Sequence, residues 1–179
     1  EKIASEVGDY NFSVSQPGSD NRKGLVRSWG ADDPLSYHLW DFEASRLDFL
    51  SHAYVGLATT RLAMPAIASY RARDGLPLRA YLLLPENFVE GQGHPTIIMP
   101  HGGPHARSRA TYDDFAQYLA TRGYVVVMPN YRGSAGYGQA FEEAGYKQWG
   151  GLMQDDLTDT VTYLVDKGYT DPKRVCIVG

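Results

Sequence analysis

Pro95-Thr96-Ile97-Ile98-Met99-Pro100-His101-Gly102-Gly103-Pro104 joins a short apolar run directly to a paired-glycine loop. The run reads as a buried strand, and the loop as backbone delivered at its end. Glycine has no Cβ to shield its amide and tolerates angles closed to other residues. The Gly102 and Gly103 N–H groups could therefore cradle a developing negative charge on a substrate oxygen. Taken alone, the same ten residues also describe an ordinary Gly-Pro turn after a strand.

Working outward on the C-terminal side, Thr111-Tyr112-Asp113-Asp114 resembles a capping box with Asp in the usual Glu position. Tyr112, Phe115, Ala116 and Leu119 then share one face of a helix that Gly123 ends. Tyr124–Met128 is a continuous apolar strand of the kind covered on both faces. It runs into Asn130-Tyr131-Arg132-Gly133-Ser134-Ala135-Gly136-Tyr137-Gly138 and a short helix around Ala140–Ala144. The glycine order there is G-x-x-G-x-G, and no P-loop Lys-Ser/Thr follows, so nucleotide binding is set aside. The planar fork of Arg132 suits a buried ion pair better than a substrate contact.

A long helix over Gly151–Lys167 presents Leu152, Leu157, Val161, Leu164 and Val165 as its buried side. Asp155 and Asp156 point about 100° apart on such a helix, which favours capping, dipole compensation and ion pairing over a metal site. Asp171-Pro172 reads as a turn, and Arg174–Val178 as another doubly apolar strand with Cys176 as a buried structural thiol. Strand, helix, strand, helix, strand from Pro95 onward argues an α/β fold with a parallel sheet and right-handed crossovers. Thr96–Met99 is expected between Tyr124–Met128 and Arg174–Val178. Two strands, Ala66–Arg73 and Pro77–Pro85, joined at Asp74-Gly75, extend the sheet beyond Tyr124–Met128.

Residues 1–63 follow a different pattern, of short strands with polar turns: Tyr10–Ser15, Gly24–Trp29, Tyr37–Phe42 and Leu47–Leu50. Gln16–Asn21 and Ala31–Pro34 carry the turn signals. This spacing suits one blade of a β-propeller, and equally a few strands of a sandwich.

Composition narrows the function. The chain has 179 residues, 43% of them hydrophobic and 21% charged, with a net charge of −4, an ordinary globular balance. It has no basic block to suit nucleic acid and no apolar run of the roughly 20 residues that span a bilayer. His101 and His105 stand four apart, but Gly-Gly-Pro between them cannot hold the helix of a two-histidine zinc site, so no metal and no cofactor is expected. There is no initiating Met, no signal peptide, and an end immediately after an apolar run, so both ends read as cut. Localisation is therefore open, with cytoplasmic favoured over periplasmic or secreted.

Together the motifs resemble the prolyl oligopeptidase family of serine peptidases, in its acylaminoacyl peptidase and dipeptidyl-peptidase-like branch. The matching pieces are Tyr70–Gly75 leading into Tyr81–Pro85, His101–Pro104, Asn130–Ser134 with Gly136-Tyr137-Gly138, Trp149-Gly150, Asp155-Asp156 and Asp171–Val175. The resemblance implies that residues 64–179 are the N-terminal part of an α/β-hydrolase catalytic domain and residues 1–63 the end of a β-propeller. It implies a nucleophilic serine on a G-x-S-x-G elbow. No such elbow occurs in this chain, because Gly133-Ser134-Ala135-Gly136 lacks the first glycine at the required place. The triad Asp and His come later still in the family.

What remains here is the oxyanion loop. A tyrosine stands at the place of His101 in the prolyl oligopeptidase and dipeptidyl peptidase IV branches. The acylaminoacyl resemblance points instead to the Gly103 N–H as one donor, with Gly102 and His101 in the same loop and Pro104, Tyr131 and Arg132 as structural neighbours. The implied partner is a peptide substrate, hydrolysed through an acyl-enzyme, and a homo-oligomer is an option for the intact protein. The alternatives are a non-catalytic scaffold and a carboxylesterase, whose loop more often reads H-G-G-G.

Overall fold

The computed structural model describes residues 2–15, 22–57 and 60–179; the expected turn at 16–21 lies outside them. The chain divides into two compact units, Glu1–Leu62 with Ala110–Asp114, and Ala63–Arg109 with Phe115–Gly179.

The first unit is an antiparallel four-stranded sheet in sequential order, β1 (Asn11–Val14), β2 (Lys23–Trp29), β3 (Ser36–Asp41) and β4 (Arg46–His52). Alternation along β2 puts Gly24, Val26 and Ser28 on the buried side. A helix, α1 (Lys2–Val7), precedes the strands where only β structure was expected. Its Ile3 and Val7, four apart on one helical face, pack with Val26, Trp40 and Leu47, which gives the segment a reason to be helical.

In the second unit a five-stranded sheet runs β5 (Ala66–Arg71), β6 (Pro77–Leu83), β8 (Val125–Asn130), β7 (His94–Ile98), β9 (Thr170–Ile177). β7 pairs parallel with both neighbours, while β5–β6 and β6–β8 are antiparallel. The strand carrying the glycine loop is thus flanked on both sides, as expected. Every residue of β8 is buried, and its side chains serve two layers. Val125 and Val127 join Leu78, Ala80, Leu82 and Leu164 of helix α4 (Leu152–Asp166), whereas Val126 and Met128 join Ala116 and Ala120 of helix α2 (Asp114–Thr121). A strand covered by helices on both faces must be apolar on both, which is why periodicity two vanishes there. A short helix, α3 (Gln139–Glu143), follows the loop after β8.

Four details differ from the sequence reading. Helix α2 starts at Asp114 rather than Tyr112, and Phe115 is exposed. The face turned inward is Ala116, Gln117 and Ala120: small side chains allow close approach, and Gln117 satisfies both the N–H and C=O of Ala63 at 3.0 and 2.8 Å. The buried stripe of α4 is Met153, Asp156, Thr160 and Leu164, half of it polar, with Leu152, Leu157, Val161 and Val165 only partly covered. Asp171-Pro172 falls inside β9, at an irregularity where His94 pairs with Thr170 but Thr96 pairs with Val175. Cys176 is exposed rather than buried: among the described residues β9 is bonded to β7 and to no other strand, and Ile177 beside it is also exposed.

Candidate active site

Because β7 and β8 are parallel neighbours, the loops after their C-terminal ends emerge side by side, where ligands of open α/β sheets bind. The first loop carries His101–Pro104, and the second carries Tyr131–Gly138. Several bonds tie them together. Ala135 N donates to Ala106 O at 2.9 Å. Asn130, 1% exposed, accepts from Ser108 N at 2.8 Å and donates to the Tyr137 hydroxyl at 2.9 Å.

The imidazole of His101 lies flat on the Tyr131 ring, with centroids 4.6 Å apart and planes 13° apart. The Tyr131 hydroxyl donates to His101 O at 2.6 Å. The two ring nitrogens face different partners, Nδ1 the Gly102 carbonyl at 2.9 Å and Nε2 the Ser134 hydroxyl at 2.8 Å. Burial holds the His101 imidazole below its ordinary pKa, with the Gly102 carbonyl pulling weakly the other way. Burial also raises the Tyr131 phenol.

Gly102 C=O and Gly103 N–H belong to one planar trans peptide and point to opposite sides of it. Anchoring that carbonyl on His101 therefore turns the Gly103 N–H away from the imidazole. Both glycines are exposed, and among the described residues neither amide has a protein acceptor. Gly103 has φ +132, and a Cβ there would lie 2.8 Å from His105 N and 2.9 Å from Ala106 N, so no other residue fits without moving the loop. A cavity of about 370 Å³ opens beside the loop, lined by Pro100–Pro104, Tyr131, Trp149, Met153 and Leu157 among others. It is large enough for an amino-acid side chain with its flanking backbone, and its lining is mostly apolar.

Of the residues singled out from sequence, His101, Gly102, Gly103, Pro104 and Tyr131 meet at this cavity. Arg132 does not line it. Its guanidinium is 4% exposed and turns to Asp156, with Nη2–Oδ1 at 2.7 Å and Nε–Oδ2 at 2.9 Å, while Nη1 reaches Asp74 at 2.8 Å. Its backbone N–H also donates to Asp156 Oδ2, at 2.8 Å. The bonds to Asp156, then those to Asp74, hold the guanidinium pKa above its ordinary value against the effect of burial. The bond from Arg132 draws the Asp74 carboxyl below its own. This bidentate anchor fixes the start of the second loop from beneath.

Gly145 supports the same loop: a Cβ there would meet Gly133 Cα at 2.5 Å, so two backbones touch where side chains would hold them apart. Sequence reasoning missed Ser134 and Asp156 as site-supporting residues. Both stand in pieces that carry the family resemblance, and ion pairing was expected of Asp156, but nothing local tied either residue to the glycine loop. Among the described residues no group of three or more His, Cys, Asp or Glu is placed to hold a metal ion.

A layered α/β sheet with exposed glycine amides at the end of a central strand, beside a cavity, presents free backbone N–H donors that could hold an anionic oxygen. Residues 110–179 match the model of the prolyl oligopeptidase family. Dipeptidyl aminopeptidase BIII of Pseudoxanthomonas mexicana is 35% identical over 97% of this chain and 26% of its own length. Acylamino-acid-releasing enzyme 1 of Oryza sativa subsp. japonica is 32% identical over 63% of this chain and 14% of its own. A solved structure of a Mycobacterium tuberculosis puromycin-hydrolyzing peptidase superposes with a TM-score of 0.72 and 30% identity, over 87% of this chain and 24% of that one. The chain belongs to the prolyl oligopeptidase family. It spans about a quarter of the length of the first of these relatives and of the solved structure.

Proposed function

We propose that the intact protein is a serine peptidase that hydrolyses short peptides through an acyl-enzyme, with dipeptidyl- or acylaminoacyl-peptidase specificity. In this reading the second unit is the N-terminal part of an α/β-hydrolase domain and supplies half of the oxyanion hole. The first unit is the end of a β-propeller. The observation that carries the proposal is the Gly102–Gly103 peptide, whose carbonyl is tied back to His101 while the Gly103 N–H faces away, beside the cavity. A tetrahedral intermediate places negative charge on the former carbonyl oxygen, and a fixed N–H aimed at that position stabilises it without reorganisation. Tyr131 and Ser134 brace His101, and Pro104 seats the far end of the loop. The nucleophile lies outside these residues: Ser134 is 0% exposed and bonded to Tyr131 O at 2.6 Å, so it cannot attack a substrate.

The test is turnover of aminoacyl, dipeptidyl and N-acyl-aminoacyl p-nitroanilides by the intact protein, together with fluorophosphonate labelling and peptide mapping. We expect hydrolysis, a labelled serine beyond residue 179, and a fall in kcat of about 10²–10³-fold in Gly103→Ala, the range for one lost oxyanion donor. No turnover of any of these amides, or a label within residues 1–179, would overturn the proposal.

A further inference from the structure

We propose that His101 is a proton-operated clamp on the glycine loop: once its ring carries two protons it donates from both nitrogens, to the Gly102 carbonyl and to the Ser134 hydroxyl oxygen, and pins the Gly102–Gly103 peptide. The inference rests on the reading of that loop as an oxyanion site, and it adds a pH-dependent control to it.

Proton placement decides the matter. A carbonyl oxygen can only accept, so Nδ1 bonds Gly102 O, 2.9 Å away, only when it carries a hydrogen. Ser134 has one hydroxyl hydrogen and gives it to Tyr131 O at 2.6 Å. Its oxygen therefore turns a lone pair toward Nε2, 2.8 Å away, and Nε2 needs a hydrogen as well. A neutral imidazole has one ring hydrogen and an imidazolium has two. Whichever tautomer the neutral ring adopts, one nitrogen lone pair is set against an oxygen lone pair at hydrogen-bond distance. The charged ring satisfies both contacts at once, through charge-assisted bonds.

The surroundings of the ring suit that charge in one respect and resist it in another. The imidazole lies flat on the Tyr131 ring with centroids 4.6 Å apart, and an aromatic face attracts a cation. The phenol beneath it stays neutral, since burial raises its pKa. Among the described residues no Asp, Glu, Lys or Arg lines the cavity that the ring faces, and Arg132, next to Tyr131, is turned to Asp156 and Asp74. Burial opposes the charge more strongly than the Gly102 carbonyl favours it. The second proton is therefore taken up on the acid side of the ordinary imidazole pKa of about 6.5, from solvent in the cavity. On the alkaline side the ring gives up one contact. In the Nε2–H tautomer that contact is the Gly102 carbonyl, so the peptide is released and the Gly103 N–H loses its aim. In the Nδ1–H tautomer the ring comes away from Ser134 and holds the carbonyl without an anchor of its own. Acidification fastens both ends.

The test uses the intact protein labelled with ¹³C-histidine, with the His101 signal identified by its absence in His101→Gln. Ser134→Ala takes away the acceptor for Nε2–H. We expect this variant to move the His101 titration to about tenfold higher proton concentration, the loss of one hydrogen bond to a charged group. The ratio of wild-type kcat to variant kcat cancels every titration that the two proteins share, and it should rise about fivefold from about pH 8 to about pH 5.5. An unmoved His101 titration would overturn the inference. A ratio that is constant over this range, or that falls on acidification, would overturn it too, because packing would then be the cause. If the alanine variant does not fold, Ser134→Cys decides: sulfur is a weak acceptor, and the titration should move the same way by about threefold. Absence of turnover in the wild-type protein would refute the peptidase reading itself, and the histidine titration would still decide on the clamp.

Discussion

Replacing Asp156 by Asn keeps the shape of the buried carboxylate and removes its charge. Asp156 is 0% exposed and takes hydrogens from the backbone N, Nε and Nη2 of Arg132 at 2.8, 2.9 and 2.7 Å. An asparagine offers one oxygen for these donors and sets an NH₂ group against the rest, so the guanidinium is left part-paired in a buried place. Removing one partner of a buried ion pair costs about 3–5 kcal/mol. Arg132 keeps its bond to Asp74, but that side chain is 40% exposed and screened by solvent, so it offsets only part of the loss. The expectation is therefore the lower end, about 3 kcal/mol, or roughly 100-fold in the local opening equilibrium.

Hydrogen exchange by mass spectrometry on the intact protein reads this opening directly, in peptides covering residues 130–138 and 152–160. The double substitution Arg132→Met with Asp156→Leu should exchange less than the single variant, because an apolar pair of similar volume avoids the desolvation that a lone charge suffers, but more than wild type, because the buried N–H of residue 132 loses its acceptor. Exchange in Asp156→Asn within about threefold of wild type would refute the reasoning, as would a double variant as open as the single one.

Tyr131→Phe removes the 2.6 Å bond to His101 O but keeps the ring stack, and should lower kcat of the intact protein about fivefold with KM steady, the worth of about 1 kcal/mol; an unchanged kcat would count against a bracing role. The Asp74 carboxyl is held below its ordinary pKa of 3.8, so its contribution is present above that pH and lost as pH falls through the lower folded value. Protection of residues 72–76, taken relative to intrinsic exchange at each pH, should accordingly fall on acidification below about pH 4 in wild type and stay flat in Asp74→Asn. A polypeptide of residues 1–179 expressed by itself should show no amide hydrolysis, and should self-associate through β9, whose edge is open and whose Ile177 is 54% exposed. Ile177→Lys should reduce that association in sedimentation velocity, and a wild-type polypeptide that runs as a monomer would disprove it.

Much of the fold was legible in the residues alone. An apolar run without alternation, as in Val125–Met128, has few solutions other than a strand covered on both faces. Three such runs separated by helical stretches and glycine turns fix a parallel arrangement. The glycine loop was legible for the same reason, since Gly102 and Gly103 sit where backbone must be exposed. These are short-range signals, carried by residues within one element.

Tertiary structure alone decided which polar groups meet. Arg132 finds one carboxylate 24 residues later and another 58 residues earlier, and His101 finds Ser134 33 residues away. Nothing in the local pattern distinguishes Asp156 from the half-buried Asp155 beside it, because a helix buries whichever side its packing partner dictates. In α4 that partner includes the buried guanidinium, so a carboxylate and a threonine went inward where leucines were expected. The converse holds for Cys176, apolar in context yet exposed, since a strand's cover comes from the elements packed on it and not from its own sequence.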